Sequence, residues 1–214
     1  MLSIRLPREA ALDLDALERA GMFDRVTRSS ADELVRRRAN VLVTGAAGAG
    51  KTTLLGALLA SAPPGERIVL VEDVAELRVP HPHVVRLEAR QPNLEGAGGI
   101  GLDRLVREAL RMRPDRLVVG ECRGAELREL LIALNTGHDG GAGTLHANSL
   151  ADVPARLEAL GALAGWPDAA LARQAVSAIH AIVHVERGRD GVRRIVELGR
   201  LRLGGRGRLV AEPA

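Results

Sequence analysis

Aromatic residues are almost absent: the 214 residues hold one Phe (Phe23), one Trp (Trp166) and no Tyr. Single-stranded nucleic acid is usually held on stacked aromatic rings, so a stacking platform is effectively excluded. Cys122 is the single cysteine. It can make no internal disulfide, has no second Cys at metal-ligand spacing, and reads as a small buried hydrophobe. No run approaches the roughly 20 apolar residues that span a bilayer, and residues 1–5 lack the apolar core of a signal peptide. A cytoplasmic protein is therefore expected. The most telling scarcity is lysine: of thirty Lys and Arg, Lys51 is the only lysine. A chain that uses Arg everywhere else keeps Lys where a compact ammonium on a flexible stem must reach phosphate oxygens.

The remaining composition is that of a globular domain with one substantial core: 46% hydrophobic residues and a formal net charge of +3. Mild basicity points to an anionic partner such as nucleic acid or a membrane surface, and the missing aromatics weigh against the first. Residues 1–30 are polar and weakly patterned, with Leu12, Leu14, Leu17 and Met22 marking one short helix. A second short helix ends in the basic run Arg36, Arg37 and Arg38, which equally suits a solvated helix end.

From residue 40 the pattern alternates. A strand at 40–44 leads through a loop to an apolar helix at 51–61, stopped by Pro63 and Pro64. Strands at 67–71 and 84–88, a helix at 102–112, a strand at 116–119 and a helix at 125–134 follow. A strand at 144–147 and helices at 153–163 and 169–179 complete the series. Repeated βα units predict an α/β fold with a mainly parallel sheet flanked by helices. The tail reads as a β-meander: 182–186, 192–198 and a further segment around Gly204 and Gly205.

The loop between the first strand and its helix is Gly45-Ala46-Ala47-Gly48-Ala49-Gly50-Lys51-Thr52, the G-x-x-x-x-G-K-[ST] pattern of a phosphate-binding loop. Glycines let backbone N–H groups converge on phosphates, and the helix N-terminus adds a favourable dipole. Lys51 neutralises the β- and γ-phosphates, Thr52 offers its hydroxyl to Mg²⁺, and Thr53 lies beside it. ATP with Mg²⁺ is the expected ligand pair. Hydrolysis also needs an acid at the C-terminal ends of neighbouring strands, where open α/β sheets bind ligands. Glu121, just after the strand at 116–119, qualifies as a catalytic and Mg²⁺ ligand. Asp115 starts the same strand, about 20 Å away, and reads as structural. Glu72, Asp73 and Glu76 follow the strand at 67–71, and one of them is expected to be catalytic. His138 and His146 flank a Gly-rich turn expected to contact the γ-phosphate, with His146 expected among the nucleotide-binding residues; with no Cys or third His nearby, zinc is a poor alternative.

Four stretches then carry a resemblance, in order along the chain: GAAGAGKTT, VEDVAEL, RMRPDRLVVGECRG and NTGHDGGAGTLHANS. From about Ile4 to Leu198 the chain resembles the C-terminal ATPase domain of type II/IV secretion ATPases, in the tight-adherence pilus and conjugal-transfer branch. The resemblance implies a RecA-like P-loop NTPase domain at 31–214, with 1–30 a linker or the remnant of an N-terminal domain. It implies a homo-hexamer in the full-length context, peripheral to the cytoplasmic face of the inner membrane, with an inner-membrane platform protein as partner. It also implies that Glu121 is the Walker B glutamate and that Glu76, last acid of the aspartate box, activates water. Arg86, Arg90, Arg111 and Arg113 resemble arginines that contact phosphates within or across subunits. Family members carry a sizeable domain ahead of the linker, so this chain alone is expected to associate weakly and to hydrolyse ATP slowly. The alternatives are a nucleic-acid translocase or helicase-type motor and a non-catalytic regulatory P-loop module. A GTPase is disfavoured, since the guanine-recognising Asn-Lys-x-Asp motif needs a second lysine.

Overall fold

Short runs of Val, Ile and Leu bounded by Gly, Pro or Asp cannot alternate between core and solvent, so they belong in a parallel sheet covered on both faces. The computed structural model describes residues 12–94 and 96–214 and arranges these runs in that way. Strands β1 (Val41–Gly45), β2 (Ile68–Glu72), β4 (Arg116–Val119) and β5 (Ala142–His146) are buried almost throughout, while β3 (Val84–Glu88) forms the half-exposed edge. β6 (Ala181–Arg187) pairs parallel with β1, and β7 (Arg193–Leu203) and β8 (Leu209–Pro213) continue antiparallel. Among the described residues this makes one eight-stranded mixed sheet in the order β3-β2-β4-β5-β1-β6-β7-β8.

Helices α1 (Leu14–Arg19), α2 (Arg28–Arg36) and α3 (Lys51–Ala60) cover one face, where Leu14, Leu54, Leu55 and Leu70 share a core cluster. Helices α4 (Leu102–Leu110), α5 (Glu126–Leu134), α6 (Val153–Leu163) and α7 (Asp168–Ala178) cover the other, around Leu117, Leu131, Leu157 and Leu171. Of Leu12, Leu14, Leu17 and Met22, expected to mark one short helix, α1 holds Leu14 and Leu17, and Met22 follows it. Leu14, Leu17 and Met22 are buried in the cluster that also holds α3, and the chain continues into a bridge between Phe23 and Ile195 of β7. Residues 1–11 of the stretch expected as a linker lie outside the described residues.

Two expectations for the strands need correction. β5 begins at Ala142, two residues early, because pairing with both β1 and β4 overrides the poor strand propensity of Ala-Gly. Gly143 also admits close packing, since a Cβ there would sit 3.3 Å from Cys122 Sγ. In the meander, the strand expected to end at 198 ends five residues later, and Gly204 and Gly205 lie in the turn that follows it. β7 runs on to Leu203, and its partner β8 starts only at Leu209. Among the described residues, no helix is long and apolar enough to cross a membrane.

Candidate active site

β1 ends at Gly45 and α3 begins at Lys51, so residues 45–50 cap the C-terminal edge of the sheet. Two glycines are required there by packing as well as by conformation. A Cβ on Gly45 (φ 152°) would lie 2.3 Å from Val185 O, and one on Gly50 (φ 103°) would lie 2.7 Å from Arg193 Cδ. Ala46 and Ala47 are exposed, Ala49 is buried, and Thr52 and Thr53 are half-buried in the first turn of α3. Lys51 is buried, with Nζ donating to Gly45 O and Ala46 O at 2.9 Å each and lying 3.4 Å from His146 Nδ1. Burial pushes the ammonium below the usual lysine range, and the nearby Glu121 charge opposes that shift.

Glu121 emerges two residues beyond β4, on the same edge. Its carboxylate meets His146 Nε2 on one side and Arg123 Nε, 3.2 Å away, on the other. His146, the last residue of β5, therefore sits between the Lys51 ammonium and the Glu121 carboxylate, one ring nitrogen toward each. The strand end is held from behind by Thr144, whose hydroxyl donates to Gly120 O at 2.7 Å.

The second acidic group divides its tasks. Glu72 is buried at the end of β2; Oε1 accepts from the N–H groups of Glu76 (3.0 Å) and Leu77 (2.8 Å), and Oε2 lies 3.6 Å from Arg86 Nη1. Burial raises its pKa, against the pull of those N–H groups and of Arg86. Asp73 pairs with Arg123, so Arg123 bridges Asp73 and Glu121. Glu76 is exposed, its backbone fixed on Glu72.

The remaining expected residues spread outward. Arg86 belongs to β3, four strands from β1 and so roughly 19 Å away across the sheet, where it donates to Leu77 O at 2.6 Å. Arg90 follows that strand and donates to Gly98 O at 2.7 Å, bracing the Gly-rich loop. His138 precedes β5, so the strand separates it from His146; its Nδ1 donates to Ala133 O at 3.2 Å, away from the phosphate-binding loop. The Gly-rich turn thus brings one histidine to the site, because the turn lies at the far end of β5. Asp115 stands at that far edge too, accepting from Arg67 N at 2.7 Å while Arg38 donates to its carbonyl.

Two participants carried no sequence signal. His184 on β6 is buried beneath the loop with Nδ1 2.8 Å from Thr44 Oγ1, and burial lowers its pKa. Arg193 at the start of β7 donates from Nε to Gly48 O at 3.0 Å. Both come from the meander, some 140 residues downstream in the chain.

Comparison with known proteins follows the same outline. Residues 1–189 match the family model described as type II/IV secretion system protein. A Mycobacterium tuberculosis protein named for conjugal transfer is 55% identical over 201 residues, covering 94% of this chain and 57% of its own length. The conjugal transfer protein TrbB of Rhizobium radiobacter is 32% identical over 200 residues, covering 92% and 58%. Among solved structures, the VirB11 ATPase of the Brucella suis type IV secretion system, crystallised with sulphate, superposes with a TM-score of 0.68 at 29% identity. That match covers 90% of this chain and 57% of the VirB11 chain. The chain thus spans a little over half the length of these relatives.

Proposed function

The chain belongs to the type II/IV secretion system protein family, and from that premise we propose that it is the ATP-hydrolysing RecA-like core of a motor for pilus assembly or secretion. The reading places it in a homo-hexamer at the cytoplasmic face of the inner membrane, acting with a membrane platform protein. What carries it is one observation: Lys51, His146 and Glu121, from three separate elements, meet at the mouth of a glycine loop on the C-terminal edge of the sheet.

The residues suit a nucleoside triphosphate with Mg²⁺. Gly45 and Gly50 leave no room for side chains, and Lys51 is the single cation buried at the loop. Thr52 and Glu121 present oxygen atoms only, and among the described residues no group of three His, Cys, Asp or Glu could hold a metal. Thr52 and Glu121 would hold a Mg²⁺ ion, a cation that takes oxygen ligands and keeps several waters, and the ion would supply charge neutralisation at the phosphates. Lys51 exchanges its bonds to Gly45 O and Ala46 O for phosphate oxygens. Glu121 orients water, with His146 and Arg123 setting the direction of its carboxylate. Glu76, fixed through Glu72, supplies the second acid of the same edge. Arg86 and Arg90, at the β3 edge of the sheet, serve a neighbouring subunit's phosphates.

Two substitutions test this together. Lys51→Ala should abolish ATP binding by calorimetry, because the phosphates lose their only lysine. Glu121→Gln should bind ATP normally but hydrolyse it at least roughly a hundredfold more slowly, since the amide keeps the shape and loses the charge. Unchanged affinity in the first variant, or wild-type turnover in the second, refutes the corresponding role.

A further inference from the structure

The loop at residues 45–50 consists of three glycines and three alanines, so it has no polar side chain to lock its own conformation. Gly48 and Gly50 have positive φ, 73° and 103°, a region from which glycine escapes at little cost. Something outside the loop must hold it. Lys51 holds two of its carbonyls, but on the reading above that ammonium turns to phosphate when nucleotide binds. The carbonyl of Gly48 is held differently, by Arg193 Nε at 3.0 Å. The stem of the same side chain packs on Gly50, where a Cβ would come within 2.7 Å of Cδ.

The strand that carries Arg193 is well anchored. β6 runs parallel to β1, so the β6–β7 turn overhangs the phosphate-binding edge. The turn is pinned by Asp190, which accepts from Val192 N at 3.0 Å and pairs with Arg194. Two residues past Arg193, Ile195 N donates to Met22 O at 2.9 Å. The other strand of the hairpin grips the root of the loop through His184 on Thr44 and Val185 O against Gly45. A rigid hairpin therefore touches residues 44, 45, 48 and 50.

We propose that Arg193 is a positioning residue of the phosphate-binding loop: by fixing the Gly48 carbonyl it sets the loop conformation, and with it the affinity for a polyphosphate. The peptide plane is rigid, so fixing that carbonyl also fixes the direction of the Ala49 N–H. This rests on the loop being the triphosphate site proposed above.

The test compares the full chain with Arg193→Met, Arg193→Lys and Lys51→Ala, measuring affinity for ATP and for inorganic tripolyphosphate by calorimetry and the midpoint of thermal unfolding. Arg193→Met keeps the stem over Gly50 and loses the donor, and should weaken both ligands about tenfold. Arg193→Lys keeps stem and donor and should remain within about threefold of wild type. The unfolding midpoint of both should stay within about 3 °C. If Lys51→Ala binds ATP as well as wild type, the site reading itself fails. If Lys51→Ala loses binding while Arg193→Met keeps wild-type affinity, the positioning role alone is overturned. It is equally overturned if the Met and Lys variants are weakened alike and both melt well below wild type, because the residue then serves only stability.

Discussion

Glu72 sets burial against charge. It is buried at the end of a central strand, yet its carboxylate is used twice, by the Glu76 and Leu77 N–H groups, to fold the acidic segment back over the sheet. Desolvation outweighs those bonds, so its folded pKa lies above the ordinary value of 4.5. Between 4.5 and the raised value the folded chain keeps a proton that the unfolded chain has released. Stability from this group is therefore complete below 4.5 and is lost as pH rises through the folded pKa. Glu72→Gln cannot ionise and still accepts both N–H bonds through Oε1. Its urea midpoint should fall less than wild type's across that window; parallel curves would remove the assignment. At this scale the sequence was readable only in part. Lys51 and Glu121 stand in spacings that chemistry dictates, whereas the choice among Glu72, Asp73 and Glu76 depends on which carboxylate turns inward. Three neighbouring acids look alike in a sequence.

The junction of β1 with its loop shows what an element owes to a distant partner. Gly45 satisfies the phosphate-loop pattern, but the structure adds a second reason for it, the carbonyl of Val185 on β6. Gly45→Ala should destabilise the protein by roughly 1–3 kcal/mol in urea unfolding, through strain at φ 152° and collision with backbone that cannot swing away. Gly65→Ala is the control. No atom lies within 4 Å of the added methyl, so the change should stay within about 0.5 kcal/mol. Equal effects at the two positions would show that the β1–β6 contact does not constrain the loop. The elements themselves were largely legible: the strands at 84–88 and 116–119 and the helix at 153–163 coincide with β3, β4 and α6. The start of β5 was not, because it depends on pairing with β1 and β4, strands distant in the chain.

At the scale of the molecule the arginines are separated from the loop they would serve. Arg86 and Arg90 lie at the β3 edge, about 19 Å from β1 across four strand steps. Within one chain they brace Leu77 and the Gly98 loop. Action on a neighbour's phosphates makes a clear expectation. Lys51→Ala and the double variant Arg86→Ala/Arg90→Ala should each be nearly inactive alone. Mixed in equal amounts they should recover activity above the sum of the two, since some interfaces pair an intact loop with intact arginines. Specific activity of the wild type should rise with protein concentration for the same reason. A mixture no better than its parts would confine the arginines to structural work in their own subunit.

By itself the sequence determined the phosphate-binding loop, the βα alternation and the chemistry available at the sheet edge. These follow from local facts: backbone periodicity, glycine's freedom, and the residue types that phosphate and Mg²⁺ require. Only the tertiary structure decided that His146 stands between Lys51 and Glu121, and that Glu72 is a buried anchor. It alone placed a hairpin around residue 190 as the clamp on a loop at residue 48. Those outcomes depend on strand order and on which side of an edge a chain emerges. Both are settled by the joint packing of the sheet with its two helical layers, and no local run of residues encodes them.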